Sequence, residues 1–165
     1  MSGAARAATG PERVRAALEA AGVAADIREM DASTRTAEEA AAACGVSVAQ
    51  IVKSLVFQGA GAPGAAPEPW LILVSGANRV HEKRLGRALG VKLARADADW
   101  VRRTSGFAIG GVAPVGALRP MATAIDADLA DHETLFAAAG GPRHVFRTDF
   151  ETLRRLTGGR VETVT

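Results

Sequence analysis

The chain is organised around an uncharged, glycine-rich stretch that reads Thr104-Ser-Gly-Phe-Ala-Ile-Gly-Gly-Val-Ala-Pro-Val-Gly116. Glycine reaches backbone angles that a β-carbon forbids, and it lets the main chain approach a ligand closely. Pro114 fixes its own φ and restricts Ala113 before it. Residues 110–114 are therefore interpreted as a stiff loop whose N–H groups could face an electron-rich ligand. The same composition is also typical of an ordinary turn between two buried strands.

Length and composition predict one domain, spanning residues 1–165, with residues 1–9 as a loose N-terminal tail. Apolar residues make up 48% of the chain but aromatic residues only 4%, so Val, Ile, Leu and Phe clusters must form the core. The single cysteine excludes an intramolecular disulfide, and the three histidines do not stand at metal-ligand spacing. We expect neither a metal ion nor a cofactor.

Charge and hydropathy limit the expected cellular location of the protein and the classes of partner that it binds. No apolar run approaches 18 residues, and residues 1–10 lack the apolar centre of a signal peptide, so we expect a cytoplasmic protein without membrane contact. The net charge of +2 names no partner, but residues 79–103 hold eight Lys or Arg against three acids. That local excess could meet phosphates, or it could be an ordinary solvated face.

Patterning along the chain predicts a mixed α/β domain. Capping boxes predict helix starts at Thr9–Glu12, Thr36–Glu39, Ser47–Gln50 and Thr148–Glu151. Strands are predicted at residues 52–57, 70–75, 91–94, 122–126 and 144–147, with a possible edge strand at 161–165. Residues 59–69 are interpreted as a flexible hairpin loop, and residues 134–139 remain ambiguous between strand and helix. These elements favour a central closed or nearly closed sheet surrounded by helices.

Lys53 is the titratable residue with the most unusual setting. It falls where a short helix gives way to the strand 52–57, and Ile51, Val52 and Leu55 are expected to wall its stem. A lysine at a strand end commonly holds its ammonium group in water, and Lys53 could be such a solvated residue. A cationic head beside a set of loop N–H groups could instead polarise an ester carbonyl. No side-chain nucleophile is then needed, because water or a substrate hydroxyl can attack.

Three segments together resemble the YbaK/EbsC family of free-standing aminoacyl-tRNA deacylases, which are relatives of the editing domain of bacterial prolyl-tRNA synthetases. The segments are Ser33-Thr-Arg-Thr-x-x-Glu-Ala-Ala41, Ile51-Val-Lys-Ser-Leu-Val-Phe57 and Gly106-Phe-x-x-Gly-Gly-Val-x-Pro-Val-Gly116. The resemblance runs from about residue 10 to residue 160. It implies a mixed α/β fold around a six- or seven-stranded barrel-like sheet, with no metal. It also implies hydrolysis of the ester between a wrong small amino acid and the terminal adenosine of tRNA, most often tRNA for proline.

The same resemblance assigns roles to individual residues. Lys53 is expected near the aminoacyl carbonyl, and Gly110 and Gly111 are expected to present backbone donors in a loop whose shape Pro114 holds. The substrate-binding candidates are Ser54, Thr104, Ser105, Gly106, Phe107, Gly111, Pro114 and His144. The candidates for contacting tRNA are Arg79, Lys83, Arg84 and Arg87. The expected partners are the acceptor end of an aminoacyl-tRNA and a prolyl-tRNA synthetase.

Two other functions are compatible with the residues. The basic segment 79–103 could make the chain a non-catalytic module that binds an RNA end or a synthetase. The lysine and the glycine loop could instead serve a small acyl hydrolase that acts on a free ester. Salt-sensitive tRNA binding without turnover would indicate the first of these functions, and turnover that does not require tRNA would indicate the second.

Overall fold

A computed structural model describes residues 6–165 of the chain. Its helices are α1 (Gly10–Ala20), α2 (Ala37–Cys44), α3 (Glu82–Leu89), α4 (Ala98–Ser105) and α5 (Phe150–Thr157). Its strands are β1 (Ile27–Glu29), β2 (Ile51–Ala60), β3 (Glu68–Ser75), β4 (Lys92–Arg95), β5 (Ala122–Asp126), β6 (Leu135–Ala138), β7 (His144–Thr148) and β8 (Arg160–Glu162). Of the predicted tail 1–9, residues 1–5 lie outside the described residues, and residues 6–9 precede α1.

Local side-chain caps explain where the helices begin. The Thr9 hydroxyl accepts a hydrogen bond from the N–H of Glu12, which confirms the first predicted capping box. At α5 the predicted cap is wrong by one residue, because the Asp149 carboxylate accepts from the N–H of Thr152 at 2.8 Å. The short helix predicted after Ser47 is a single 3-10 turn, since β2 already begins at Ile51.

All eight strands join one mixed sheet, in the order β1-β7-β6-β2-β3-β5-β8, with β4 paired to β2 beside that path. The pairs β1/β7, β7/β6, β2/β3 and β2/β4 are antiparallel, whereas β2/β6, β3/β5 and β5/β8 are parallel. The predicted mixed α/β class is therefore confirmed. The eight strands exceed the six or seven expected, and the ambiguous segment 134–139 is a strand.

Strand β3 lies in the interior of the sheet and is covered on both faces, as its continuous apolar run predicts. Leu71 and Leu73 pack into a cluster with α1, whereas Ile72 and Val74 pack into a second cluster with α3. All four side chains are at most 2% exposed. The two clusters hold the sheet between layers of helices.

Strand β2 shares one of its edges between two partners. Along one edge it pairs with β3 over residues 52–59, while on the other edge β6 pairs with residues 51–52 and β4 with residues 57–60. Within residues 6–165, no strand pairs with this second edge at residues 53–56. The gap opens the sheet beside Lys53, and the site described below lies there.

One stability test follows from the contact between Gly10 and Gly140. Gly140 has φ +88°, and a β-carbon there would lie 2.5 Å from the carbonyl carbon of Gly10. Gly22 has a similar φ of +70° but open space around it. We expect Gly22→Ala to lower the free energy of unfolding by about 1–2 kcal/mol from backbone strain alone. Gly140→Ala should cost clearly more in urea denaturation. Equal losses would contradict this packing.

Candidate active site

A cavity of about 740 Å³ lies at the gap in the sheet. Residues 51–57 of β2 form one wall, and residues 34–38, before and within α2, form another. The remaining lining comes from the loop after β3, the start of α3, the segment 95–96, the glycine-rich loop and β6, with single residues from α4 and β7. Charged and apolar residues therefore meet in one space large enough for a small organic ligand.

Lys53 supplies the cation of the cavity. Its Nζ donates a hydrogen bond to the main-chain oxygen of Asn78 at 2.5 Å. Burial lowers the pKa of Lys53, and the neighbouring Arg79 lowers it further. The carboxylates of Glu38 and Asp126 act in the opposite direction and raise that pKa. The ammonium group is thus partly desolvated and held in one place.

Asp126 and Asn78 hold the carbonyl group that positions Lys53. The buried Asp126 carboxylate accepts hydrogen bonds from the Ser75 N–H at 3.0 Å and from the Asn78 amide at 2.9 Å. The Asn78 amide also donates to Asp128 at 2.8 Å. The loop after β3 is therefore tied to the end of β5. The strand predicted at 122–126 ends at Asp126, but neither Asp126 nor Asn78 was predicted to position Lys53.

The glycine-rich loop contributes Ile109, Gly110 and Val112 to the cavity lining. Gly110 has φ +91°, and a β-carbon there would lie 3.0 Å from the β-carbon of Arg35. The N–H of Gly110 has no acceptor within residues 6–165. The N–H of Gly111 donates to the oxygen of Ala108 at 2.9 Å. The prediction that Gly111 presents a free donor is therefore wrong, because a tight turn uses that group.

Four of the predicted site residues line the cavity together, and the others lie elsewhere. The four are Lys53, Ser54, Gly110 and Arg79. The predicted residues outside the lining are Thr104, Ser105, Gly106, Phe107, Gly111, Pro114, His144, Lys83, Arg84 and Arg87. Conversely, the lining includes the charged side chains of Arg35, Glu38, Glu82 and Arg95, to which the sequence analysis assigned no role.

The residues at the start of the glycine-rich stretch build the loop rather than the lining. The Thr104 and Ser105 hydroxyls donate to the carbonyl groups of Trp100 and Val101, one turn back in α4. Phe107 is 2% exposed, and the Arg13 guanidinium lies 4.8 Å from its ring centre. This stretch therefore ends α4 and anchors the loop in the core.

Two side chains near the cavity, Ser54 and His144, have a buried polar atom without a hydrogen-bond partner in the described chain. Ser54 Oγ is buried and has no hydrogen-bond partner within the described chain, and Ser54 lines the cavity. His144 begins β7, and its Nδ1 is also buried without a partner. His144 lies outside the lining, but its neighbour Val145 belongs to it. Ser54 is thus a cavity-lining residue whose buried hydroxyl has no partner within the described chain.

The basic candidates separate into two groups. Arg79 is exposed at the cavity, whereas Lys83, Arg84 and Arg87 are exposed on α3. The Arg84 guanidinium donates to the oxygen of Thr165 at 2.8 Å. Of these four candidates, only Arg79 therefore lines the cavity.

Residues 6–165 offer little support for a metal-ion site or for a reactive thiol. Those residues contain no group of three His, Cys, Asp or Glu side chains placed to hold a metal ion. Burial raises the pKa of the Cys44 thiol, which disfavours a reactive thiolate. None of the helices in this range is long and apolar enough to cross a membrane.

Comparison with known proteins places the chain in a family. The sequence model of the aminoacyl-tRNA editing domain matches residues 31–156, which are 126 of the 165 residues. The chain belongs to this family. The resemblance to the YbaK/EbsC deacylases is thereby confirmed, and the editing-domain match covers Lys53 and the glycine-rich loop.

Individual relatives of this editing domain extend the match to nearly the whole chain. A solved structure described as a proposed trans-editing enzyme for prolyl-tRNA synthetase is 42% identical, with a TM-score of 0.86, and the match covers 97% of this chain and 99% of that one. A scaffold used for computational epitope grafting is 39% identical with the same TM-score, covering 96% and 99%. YwhH, an uncharacterized protein of Bacillus subtilis (strain 168), is 32% identical over 115 residues, 70% of each chain.

The charged residues around Lys53 predict in which direction the Lys53 pKa changes when each of them is replaced. Because Glu38 raises and Arg79 lowers the Lys53 pKa, Glu38→Gln should lower that pKa further and Arg79→Gln should raise it. The measurement is an NMR titration of the Lys53 side-chain ¹³Cε in the two variants and the parent protein. A Lys53 midpoint at or above the ordinary lysine value, or shifts of the opposite sign, would contradict the described site.

Proposed function

We propose that this editing-domain protein hydrolyses the ester between a small, wrongly attached amino acid and the terminal adenosine of a tRNA. The observation that carries the proposal is Lys53, a partly desolvated cation fixed at the wall of the cavity that Gly110 also lines. Membership of the editing-domain family supports the reaction class. The relative described as serving prolyl-tRNA synthetase supports tRNA for proline as the substrate and that synthetase as the partner.

In the proposed reaction, Lys53 stabilises the negative charge that develops on the carbonyl oxygen of the ester. An ammonium group has three donors, so Nζ can keep its bond to Asn78 and still donate to the substrate carbonyl. The N–H of Gly110 is a second donor for the same oxygen. Preorganised donors of this kind stabilise the transition state in a partly dry site.

No side-chain nucleophile is assigned. Water attacks the carbonyl carbon, and the bond between that carbon and the ribose oxygen breaks. One proton of the water ends on the leaving ribose oxygen, and the other is released to solvent as the amino acid leaves as a carboxylate. A free ribose hydroxyl of the substrate can position the attacking water and relay its proton. Positioning and charge stabilisation then account for the rate enhancement.

The lining favours a small amino acid. Val52 and Val56 of β2 are apolar walls on the same face of the strand as Ser54. One methylene in an apolar pocket changes discrimination by only about 1–3 kcal/mol, whereas an unpaired polar group discriminates more sharply. The unpaired Ser54 hydroxyl therefore suits a substrate side chain that carries a hydroxyl or thiol, and Ala, Ser, Thr and Cys esters form the panel to test.

The central test of this function is Lys53→Ala with a matched lysine control. Lys92 is exposed on β4 and does not line the cavity, so Lys92→Ala is the control. We expect Lys53→Ala to lower kcat for deacylation of mischarged tRNA by about 100- to 1,000-fold, the usual loss for one transition-state donor. Lys92→Ala should retain activity. If the parent protein and Lys53→Ala are equally inactive on all four esters, the proposal fails.

The basic residues of α3 are proposed to bind the tRNA phosphates. Replacing Lys83 and Arg87 together by Gln should raise KM, leave kcat unchanged and reduce the salt dependence of binding by about two phosphate contacts. Deacylation measured over a range of salt concentrations provides this comparison. An unchanged KM and salt slope would remove these residues from the tRNA interface. Salt-sensitive binding without any ester turnover would favour the non-catalytic module instead.

A further inference from the structure

The unpaired edge of β2 carries main-chain groups with no partner. Two observations show which residues face that edge. The oxygen of Ile51 accepts from the N–H of Gly76, so the main-chain groups of Ile51 point towards β3. Pro69, which has no N–H, lies opposite Gln58 and therefore occupies a non-hydrogen-bonded pair.

The register then fixes the direction of the intervening residues. The pairing of β2 with β3 runs without a bulge from Val52 to Gly59. Because main-chain groups alternate between the two edges of a strand, Ser54 and Val56 point away from β3, into the gap. Within residues 6–165, neither main-chain N–H has an acceptor among the hydrogen bonds outside the strand ladders, and no strand pairs there. Both residues line the cavity.

The length of the gap decides what kind of ligand it takes. Four residues of strand span about 13 Å, and β6 and β4 close the two ends. A peptide strand would continue past both ends and collide with them. A small planar ligand with two adjacent polar atoms needs only the carbonyl of Ser54 and the N–H of Val56, which are neighbours on the same edge.

The adenine base has the matching pattern. Its N6 amino group is a donor, and the ring nitrogen beside it is an acceptor. The amino group would donate to the Ser54 carbonyl, and the ring nitrogen would accept from the Val56 N–H. Ala96, Val101 and Ala138 line the same cavity and offer apolar surface to the base.

We propose that the free edge of β2 at Ser54 and Val56 binds the adenine of the terminal adenosine. This inference rests on the proposed function and adds a base-reading site to it. Lys53 directly precedes Ser54 in β2, so one strand segment presents both the ester-polarising cation and the base-reading edge. The base contact would fix the ribose ester beside the ammonium group.

The test uses alanyl-adenosine with a stable 3′-amide in place of the ester, and its counterpart with purine, which lacks the N6 amino group. Binding is followed by NMR on the full-length, ¹⁵N-labelled protein. The adenosine ligand should shift the Val56 amide and slow its hydrogen exchange. The amides of Leu55 and Phe57, which point towards β3, serve as internal controls and should change little.

The purine ligand should bind about 10- to 100-fold more weakly, because the Ser54 carbonyl then stays desolvated and unpaired. Equal affinity of the two ligands would overturn the inference, as would binding that leaves the Val56 amide unchanged. Failure of the adenosine ligand to bind at about 10 mM would also overturn it. The proposed function is judged separately, by deacylation of the ester substrates, so each idea can fail without the other.

Discussion

The shared edge of β2 is the constraint on which the site depends. A strand paired along both edges would offer no access to its main chain, but β2 divides one edge between β6 and β4. The residues left between these partners include Lys53, Ser54 and Val56. The sheet is stable around this gap because β3 pairs with the opposite edge over eight residues. Access and rigidity thus come from the two edges of one strand.

The loop after β3 converts this opening into a defined site. An isolated lysine beside a cavity would sample many rotamers, and fixing it costs side-chain entropy. The bond from Lys53 to the Asn78 carbonyl restrains it, and the buried Asp126 carboxylate restrains Asn78. The chain of contacts therefore runs from β5 through the loop to the ammonium group of β2. This arrangement keeps the cation in place before any ligand arrives.

Local sequence rules predicted the elements well, because caps and hydrophobic runs act over a few residues. The start of α1 at Thr9 and the doubly covered strand β3 are examples. The pairing of β2 with β6 and β4 joins residues more than thirty positions apart, and no local pattern contains that register. The role of Asn78 depends on such long-range contacts.

Only part of the candidate site was predicted, because local sequence patterns do not show which residues the fold brings together. Lys53 and Gly110 were found because a lysine in an apolar run and a charge-free glycine loop are unusual locally. Thr104 and Phe107 stand in the same stretch, but their side chains end α4 and fill the core. A glycine-rich stretch shows that the backbone is special, and it does not show which of its side chains face a ligand.

The proposed reaction depends on one placement, that of the substrate carbonyl beside Lys53. A crystal structure with a stable amide analogue of the aminoacyl-adenosine measures this placement directly. We expect the analogue carbonyl oxygen to lie within hydrogen-bond distance of Lys53 Nζ while the bond from Nζ to Asn78 persists. An analogue bound outside the cavity, or inside it with its carbonyl turned away from Lys53, would contradict the proposed role of Lys53.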